Sequence, residues 1–484
     1  MNKQGHNKVK LSPHKTKIVC TVGPASRSPD VLEDMVRNGM NVARLNFSHG
    51  DFSEHKDNIC NIRAAAAKLK RPVGIIVDLP GVKMRIGKLQ VEPLVLKKGE
   101  KVTLTTREVM GTASEISVSY KQLPESVRKG GIIYLSDGFI QLKVESVSGP
   151  DILCRVVIGG TLLSHKGLNL PGAKLFLNPI TDKDLEAVDF ALRQGVTTFG
   201  LSFVEKAEDI RKVREFAGKM GRPVYLVAKI ERREAIENFD AILKAADAIM
   251  IARGDLGIEI PIEEVPVVQK RLIRRANVDG RPVITATQML GSMTQNVRPT
   301  RAEVTDVANA ILDGTDAVML SEETAVGDYP VETIRMMGKI AVATERLCRK
   351  GPLSKEVREE VRKGSLTIPD VISLNVDRAA EKLNASHILT QTSSGSTARH
   401  ISRLKPPCWI LAFSNQREIC EFLAFSYGVY PFFIKKKNNK PSDATLQAIR
   451  DYGLAQKGDT IIITERRLSL HPGETDSLSI ATLA

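Results

Sequence analysis

The sequence predicts an α/β protein: a (β/α)8 TIM barrel carrying an inserted β-barrel-like lid domain after strand three and a C-terminal α/β open-sheet domain. Three observations predict this architecture. Apolar strand-like runs recur eight times with helical patterns between them, one interval between consecutive runs is far longer than the others, and a second α/β pattern follows the eighth run.

The eight runs are short and rich in apolar residues, as expected for buried parallel strands. They begin at residues 16, 42, 74, 197, 225, 248, 282 and 317. Six of the seven intervals lie between 23 and 35 residues, and the interval from 74 to 197 is 123 residues. The long interval indicates an insertion, so we expect a discontinuous catalytic barrel made of residues 1–87 and 179–348.

The inserted segment, residues 88–178, has an all-β pattern. Its alternating segments include 101–105, 132–134, 141–147 and 152–158, and Gly-Gly and Asp-Gly turns punctuate them. Because an insertion after a barrel strand lies at the active-site edge, this domain is expected to act as a lid.

A separate domain is predicted for residues 349–484. A charged helix or linker at 349–363 precedes a helix at 371–384 and strands at 387–391, 409–413, 430–434, 460–464 and 477–483. Helical segments separate most of these strands, which indicates an open α/β sheet.

Composition narrows the function classes. The 484 residues are 42% hydrophobic and 26% charged, as in soluble globular proteins of several domains. We expect a cytoplasmic protein with no membrane partner, because no apolar stretch spans a bilayer and the polar N-terminal segment does not resemble a signal peptide. The net charge of +14 is spread over the chain and only 5% of residues are aromatic. Phosphate-bearing small molecules therefore fit better than nucleic acid.

A cation and two carboxylates follow two neighbouring runs. Lys229 and Glu231 come at the end of run 225–230, and Asp255 follows run 248–252. Carboxylates suit a divalent metal, and an ammonium beside the metal neutralises a phosphoryl group in transfer. The alternative is a structural ion pair with a helix-capping aspartate.

Further residues at or just after the ends of the runs are expected at the same rim. They are Arg44, Asn46, Ser48, Asp78, Gly254, Thr287 and Ser321.

Eight segments, in one order and over essentially the whole chain, resemble the pyruvate kinase family. They are TKIVCTVGPAS (16–26), NVARLNFSHG (41–50), HKGLNLPG (165–172), KIE (229–231), ARGDLG (252–257), ATQML (286–290), RPTRAE (298–303) and MLSEETA (319–325). The resemblance implies phosphoryl transfer from phosphoenolpyruvate to ADP, which gives pyruvate and ATP as in the last step of glycolysis.

The resemblance also implies roles for individual residues. Glu231 and Asp255 match metal ligands for Mg²⁺ or Mn²⁺, and carboxylates with retained waters are what Mg²⁺ prefers. Lys229 matches the lysine that neutralises the phosphoryl group and the developing enolate, and Arg44 matches a phosphoryl-contacting arginine.

For the substrate, Gly254 and Asp255 match backbone N–H groups that hold its carboxylate. Thr287 matches the threonine near the carbon that is protonated, and Ser321 is expected to join it in a water-linked proton relay. Which group delivers the proton stays open.

For the nucleotide, the resemblance implies phosphate contacts from Asn46, His49, Arg85 and Lys166. Arg85 and Lys166 flank the inserted domain, so lid closure is expected to bring them over the nucleotide.

One residue departs from the family pattern. In potassium-dependent members the K⁺ site matches Asn46, Ser48, Asp78 and the carbonyl of Leu79, and a glutamate stands five residues after the aspartate, where this chain has Lys83. A tethered ammonium supplies the charge that K⁺ brings, so we expect no K⁺ requirement. The alternative is a Lys83 that points into solvent.

The C-terminal domain contains a small-residue loop before a predicted helix. It resembles the loop that receives phosphorylated effectors in allosteric members of the family, and an ordinary helix cap is the alternative. Its residues are Thr392, Ser393, Ser394, Gly395, Ser396 and Thr397. The family resemblance also implies a homotetramer.

Two competing functions remain. A Mg²⁺-dependent aldolase or lyase acting on pyruvate enolate also presents Glu and Asp at strand ends, but it gives no reason for the lid or the effector-like loop. A nucleic-acid-binding protein is suggested by net charge alone, and the chain offers no base-reading motif.

Overall fold

The computed structural model describes residues 8–136, 138–173, 178–348, 352–364, 366–434, 441–465 and 475–483. The strands in these ranges are β1 (Lys17–Thr21), β2 (Val42–Asn46), β3 (Gly74–Asp78), β4 (Leu94–Leu96), β5 (Lys101–Thr105), β6 (Glu115–Ser117), β7 (Ile132–Leu135), β8 (Ile140–Ser148), β9 (Asp151–Ile158), β10 (Gly160–Leu162), β11 (Leu168–Asn169), β12 (Thr198–Leu201), β13 (Tyr225–Ile230), β14 (Ala248–Ala252), β15 (Val283–Ala286), β16 (Ala317–Leu320), β17 (His387–Gln391), β18 (Trp409–Ser414), β19 (Val429–Phe433), β20 (Thr460–Glu465) and β21 (Ser477–Thr482).

The α-helices of the same ranges are α1 (Pro29–Asn38), α2 (Phe52–Leu69), α3 (Leu123–Ser126), α4 (Asp182–Arg193), α5 (Ala207–Lys219), α6 (Arg233–Glu237), α7 (Phe239–Ala245), α8 (Arg253–Glu259), α9 (Val265–Val278), α10 (Arg301–Leu312), α11 (Glu322–Ala325), α12 (Pro330–Cys348), α13 (Pro352–Lys363), α14 (Ile368–Lys382), α15 (Ser396–Ser402), α16 (Arg417–Leu423) and α17 (Pro441–Asp451). Two short 3₁₀ helices span Ile262–Glu264 and Gly291–Thr294.

Within the described residues, eight parallel strands close into a barrel in the order β1, β2, β3, β12, β13, β14, β15 and β16. The predicted (β/α)8 barrel is confirmed, with the start of each predicted strand recovered to within one residue. The strands are almost wholly buried because a parallel sheet is covered on both faces.

The 123-residue interval contains a separate sheet. Its order is β11, β7, β8, β9, β5, β6, and its pairs are antiparallel except β5 with β6. Leu104, Ile133, Leu142 and Ile152 are among the fully buried residues of its own hydrophobic core. The predicted all-β insertion after the third barrel strand is therefore confirmed as a fold, and its limits at 88 and 178 stay predictions.

The C-terminal part forms a five-stranded sheet in the order β19, β18, β17, β20, β21, parallel except for the last pair. Two of its aromatic side chains, Phe422 and Phe425, pack with Val19, Val42 and Ile76 of the barrel strands. Val42 begins β2, and Tyr225, the first residue of β13, stacks on Phe422 at 4.2 Å. The C-terminal domain therefore closes the amino end of the barrel, and the carboxyl ends face away from it.

Helix starts follow local sequence chemistry. The side chains of Thr181, Thr300 and Thr367 each accept a hydrogen bond from a backbone N–H of the first helical turn. In each case the carboxylate three residues later accepts a hydrogen bond from the backbone N–H of the threonine. Among the described residues, no helix is both long and apolar enough to cross a membrane.

Candidate active site

The predicted site residues lie at the carboxyl ends of the barrel strands, as the strand registers require. Asn46 pairs with Asp78, and Asp78 pairs with Gly200. Lys229 pairs with Met250. Ala252, three residues before Asp255, pairs with Ala286, the residue before Thr287. Neighbouring strands therefore carry these side chains to one rim.

Lys229 is the centre of a buried ionic cluster. Its Nζ lies 3.2 Å from Oδ1 of Asp78 and 2.8 Å from Oε1 of Glu231. It also donates a hydrogen bond of 2.8 Å to Oγ of Ser202. Burial alone lowers the pKa of Lys229, but Asp78 and Glu231 outweigh burial, so its net pKa is raised. The ammonium is a permanent cation at neutral pH.

Arg44 approaches the same aspartate from the other side. Its Nε and Nη2 donate to Oδ2 of Asp78 at 2.8 and 2.5 Å, and its Nη1 donates to Oγ1 of Thr21 at 2.8 Å. Burial raises the pKa of Asp78, but Lys229 and Arg44 reverse that effect, so the net pKa is lowered. Asp78 thus holds two cations at the rim.

Glu231 and Asp255 are the predicted metal ligands. Oε2 of Glu231 accepts a hydrogen bond of 2.8 Å from the backbone N–H of Phe203. Oε1 of Glu231 and Oδ1 of Asp78 are buried and lack a well-aligned hydrogen bond, although both lie near the Lys229 ammonium. Asp255 lies in the first turn of α8. Buried carboxylate oxygens with spare acceptor capacity fit a hard divalent cation.

Gly254 and Thr287 are in direct contact. The N–H of Gly254 donates to Oγ1 of Thr287 at 2.8 Å, and that hydroxyl donates to the carbonyl of Ala286 at 2.6 Å. The backbone N–H of Ser321 donates to Oε2 of Glu323 at 2.6 Å. No direct hydrogen bond between Ser321 and Thr287 is present among the described residues, so a relay between them needs a bridging water.

The predicted nucleotide residues lie on two segments. Asn46 accepts a hydrogen bond from the N–H of Ser48 at 3.2 Å, and His49 follows in the same exposed loop. Arg85 donates to the carbonyl of His165 at 2.8 Å, and the carbonyl of Lys166 accepts from the N–H of Ile86 at 3.0 Å. The two segments that connect the lid to the barrel are therefore paired.

Lys83 has an exposed side chain near this loop. The pKa of His49 is lowered first by burial and then by the charges of Lys83, Arg85 and Arg44. The carbonyl of Leu79, predicted as a K⁺ ligand, accepts a hydrogen bond of 2.7 Å from the hydroxyl of Ser202.

The small-residue loop of the C-terminal domain begins α15. The hydroxyl of Thr392 accepts from the N–H of Gly395 at 2.7 Å, and Gly395 has a φ of 76°. Glycine reaches such a left-handed conformation without steric cost. The hydroxyls of Thr397 and Thr475 are 2.5 Å apart.

Sequence reasoning missed three residues at this rim: Thr21, Ser202 and Arg253. Thr21 orients Arg44, and Ser202 joins Lys229 to Leu79. Arg253 donates to the carbonyl of Thr287 at 2.8 Å. Each follows or ends a predicted strand, so position at the rim was the available signal.

The fold and this rim define a class: a (β/α)8-barrel protein whose clustered cations and carboxylates suit an anionic substrate and a divalent metal. Comparison with known proteins identifies the family. The model described as "Pyruvate kinase, barrel domain" matches residues 13–334, and the model described as "Pyruvate kinase, alpha/beta domain" matches residues 370–481.

Named relatives match over nearly the whole chain. A pyruvate kinase from Thermococcus litoralis is 50% identical over 462 residues, which are 95% of this chain and 96% of the relative. Pyruvate kinase 2 from Synechocystis sp. is 43% identical over 475 residues, 97% of this chain and 79% of the relative.

A crystal structure of a pyruvate kinase from Cryptosporidium parvum superimposes with a TM-score of 0.90 at 36% identity, and the match covers 98% of this chain and 97% of that one. The chain belongs to the pyruvate kinase family. Its enzyme class is phosphotransferase, with phosphoenolpyruvate, ADP or ATP, and pyruvate as the substrates and products of that activity. The aldolase or lyase alternative has no support from these comparisons.

Proposed function

We propose that phosphoryl transfer takes place at the carboxyl rim of the barrel, with Lys229 as the central catalytic cation. In this reaction the bond between phosphorus and the enol oxygen of phosphoenolpyruvate breaks, and a new bond forms to a terminal oxygen of ADP. The observation that carries the proposal is the burial of the Lys229 ammonium between Asp78 and Glu231.

Lys229 acts as a fixed charge. Its raised pKa keeps the proton on Nζ, so the group stabilises the oxygen on which charge develops without donating its own proton. Arg44, held by Asp78 and Thr21, presents a planar guanidinium to the phosphoryl oxygens. Asn46, His49, Arg85 and Lys166 orient the nucleotide phosphates.

Glu231 and Asp255 hold Mg²⁺ or Mn²⁺ in this proposal. The buried Oε1 of Glu231 has the Lys229 ammonium as its neighbour and keeps acceptor capacity for a cation, which supports the assignment. A bound divalent cation supplies positive charge to phosphoryl and enolate oxygens. Glu231 itself is kept in place by the N–H of Phe203, which fixes the direction of its other oxygen.

Substrate binding changes the partners of Gly254. Its N–H donates to the hydroxyl of Thr287, and it exchanges that acceptor for an oxygen of the substrate carboxylate. The exchange removes one partner of the Thr287 hydroxyl, which must also turn its proton from the Ala286 carbonyl toward the enolate carbon. That carbon accepts a proton after phosphoryl transfer. Ser321 connects Thr287 to solvent through a water.

The enzyme is proposed to work without K⁺. Three of the four expected K⁺ ligands already have protein partners. Asp78 binds Arg44 and Lys229, the Leu79 carbonyl accepts from Ser202, and the Asn46 side chain accepts from the N–H of Ser48. The charge of Lys83 acts on His49 in the adjacent loop. A tethered ammonium at that place supplies the monovalent charge.

The experiment is pyruvate formation from phosphoenolpyruvate and ADP with Mg²⁺ in tetramethylammonium buffer, with and without K⁺. Full activity without K⁺ is the expected result. Activity that appears only with K⁺ refutes the role of Lys83 and leaves the catalytic assignment intact. Folded protein without activity under either condition refutes the site.

Other expectations belong to the same proposal. The three domains are the barrel (residues 1–87 and 179–348), the inserted domain (88–178) and the C-terminal domain (349–484). The inserted domain closes over the nucleotide. Thr392–Thr397 receive a phosphorylated effector, and the hydrogen bonds of Thr392 to Gly395 and of Thr397 to Thr475 keep this loop ordered. The enzyme is a cytoplasmic homotetramer. Loss of effector response in Thr397→Val, with unchanged basal activity, tests the loop.

A further inference from the structure

A wide cleft lies between the barrel and the C-terminal domain, at the end of the barrel away from the substrate rim. Its volume is about 980 Å³. Its walls come from residues 8–10, from the C-terminal half of α2 with residues 71–73, and from the region around α16 and β19. Clefts of this size at domain boundaries are typical binding sites for small molecules.

The barrel wall of the cleft is strongly cationic. It contains Arg63, Lys68, Lys70 and Arg71. Lys68 is paired with Glu33 at 2.6 Å, whereas Arg63 and Arg71 donate to backbone carbonyls. In the described parts of the chain, no carboxylate forms an ion pair with Arg63, Lys70 or Arg71. The charge of Arg63 acts on Glu421 of the same cleft, whereas Lys70 and Arg71 keep their positive charge available to a ligand.

Two further segments add cations from other directions. Lys8 and Lys10 lie on the N-terminal segment, which the hydrogen bond from the N–H of Val9 to the carbonyl of Tyr452 fixes at 2.9 Å. Arg417, at the start of α16, lies 4.8 Å over the ring of Phe433. Such stacking holds a guanidinium by its face and leaves its N–H groups at the edge.

The cleft has little negative charge to balance these cations. Glu421 is the one carboxylate among its described lining residues, and burial raises the pKa of Glu421 to about 7. Like charges brought together at one place repel, and a bound anion removes that repulsion.

The wall on the C-terminal domain is aromatic. Tyr430, Phe432, Phe433 and Tyr452 line it, and the rings of Phe432 and Tyr452 stack at 5.1 Å. A cationic wall facing an aromatic wall suits a ligand with one anionic part and one planar or apolar part. We propose that this cleft binds a small organic phosphate, with the phosphate on the basic wall and a ring on the aromatic wall.

This site is separate from the others. None of the residues that line it belongs to the catalytic rim or to Thr392–Thr397. Two elements lead from the cleft to the rim. Helix α2 starts at Phe52, just after the loop that contains Asn46 and His49, and ends at the cleft, and the lining residue Val73 leads directly into β3, which ends at Asp78. The proposal does not rest on the catalytic assignments.

Trp409 provides a readout that does not depend on activity. It is the only tryptophan in the sequence, and its ring makes an edge contact with Tyr430 at a centroid distance of 6.5 Å. The full-length protein is titrated with uridine monophosphate and with inorganic phosphate, with sodium chloride at matched ionic strength as the baseline. Tryptophan fluorescence and the thermal midpoint are recorded.

A saturable response is expected, tighter for uridine monophosphate than for inorganic phosphate. Arg417→Gln and Lys70→Asn are each expected to weaken binding about fivefold, the effect of one partly exposed charge contact. Asparagine suits position 70 because Lys70 has a φ of 52°. Lys129→Gln, on the exposed surface of the lid, and Arg85→Gln, at the catalytic rim, serve as controls and leave binding unchanged.

Three results overturn the proposal. They are a response no larger than that to sodium chloride, equal affinities for the two probes, and a response that survives Arg417→Gln and Lys70→Asn but disappears in Arg85→Gln. The last result assigns the binding to the catalytic rim.

Discussion

Arg253 binds the backbone of Thr287 directly: its Nη2 donates to the Thr287 carbonyl at 2.8 Å. Thr287 has a φ of 67° and the following Gln288 a φ of 54°. A β-branched residue in this region is a genuine outlier, and it persists only where its surroundings hold it. Arg253 also donates to the Ala286 carbonyl at 3.3 Å and is neutralised by Asp306 at 2.7 Å.

Arg253 is accordingly a positioning residue for the Thr287 hydroxyl. Arg253→Gln is expected to lower kcat by about 10²-fold with little change in KM, because misplacement of a reacting group by about 1 Å costs that much. Steady-state kinetics of the purified variant measure the effect. Asp306→Asn is the matched control, since it removes the ion pair and keeps the hydrogen bonds to both carbonyls. Equal losses in the two variants contradict the positioning role.

Lys229→Met is expected to lower kcat by at least about 10²-fold to 10³-fold, because a charge-stabilising group in a dry site is lost. The same change leaves Asp78 and Glu231 buried beside each other without their shared cation. Ser202→Ala keeps the ammonium and removes only its hydroxyl partner, so a much smaller loss is expected. Thermal unfolding of both variants separates lost activity from lost structure, and a Lys229→Met enzyme with near-normal kcat contradicts the assignment.

The sequence predicts the barrel well because a buried parallel strand needs a continuous apolar run, and eight such runs are present. It also predicts which residues reach the rim, since strand ends are read directly from those runs. It does not predict the contacts between them. Asp78 and Lys229 are separated by the inserted lid, and their 3.2 Å contact depends on barrel closure.

The roles of Ser202 and Arg253 could not be predicted from the sequence for a different reason. A serine at a strand end is common, and only the side-chain geometry shows that Ser202 joins the Lys229 ammonium to the Leu79 carbonyl. Arg253 acts on a left-handed backbone at Thr287, and a threonine in sequence gives no sign of such a conformation.

Lys83→Glu is expected to create a requirement for K⁺. The change reverses the charge that acts on the loop of His49, and two units of charge are too many to be neutral beside a phosphoryl-transfer site. Activity is measured in tetramethylammonium buffer with increasing KCl. Lys83→Gln is the matched control and is expected to need less K⁺ than Lys83→Glu. Equal activity of the wild type and Lys83→Glu without K⁺ contradicts the prediction.

The buried side chain of Lys17 is expected to make the stability of the protein depend on pH. Its Nζ is buried between the domains, donates to the carbonyl of Val429 at 2.6 Å, and lies 4.9 Å over the ring of Trp409. Burial lowers its pKa from 10.5 to about 7, although Glu345 and Asp316 act in the opposite direction. The folded chain therefore releases this proton near pH 7, whereas the unfolded chain keeps it up to about pH 10.5.

Because the unfolded state binds more protons in this window, the contribution of Lys17 to stability rises from pH 7 toward pH 10, by about 1.4 kcal/mol for each pH unit. Lys17→Met removes the titrating group, so it is expected to raise stability at pH 7 and to flatten the pH dependence. Thermal midpoints by circular dichroism between pH 7 and pH 9.5 measure both effects. Lys405→Met, which breaks the buried pair with Asp316, is the control and is expected to lower stability across the whole range. A Lys17→Met variant that keeps the wild-type slope shows that other groups set the pH dependence.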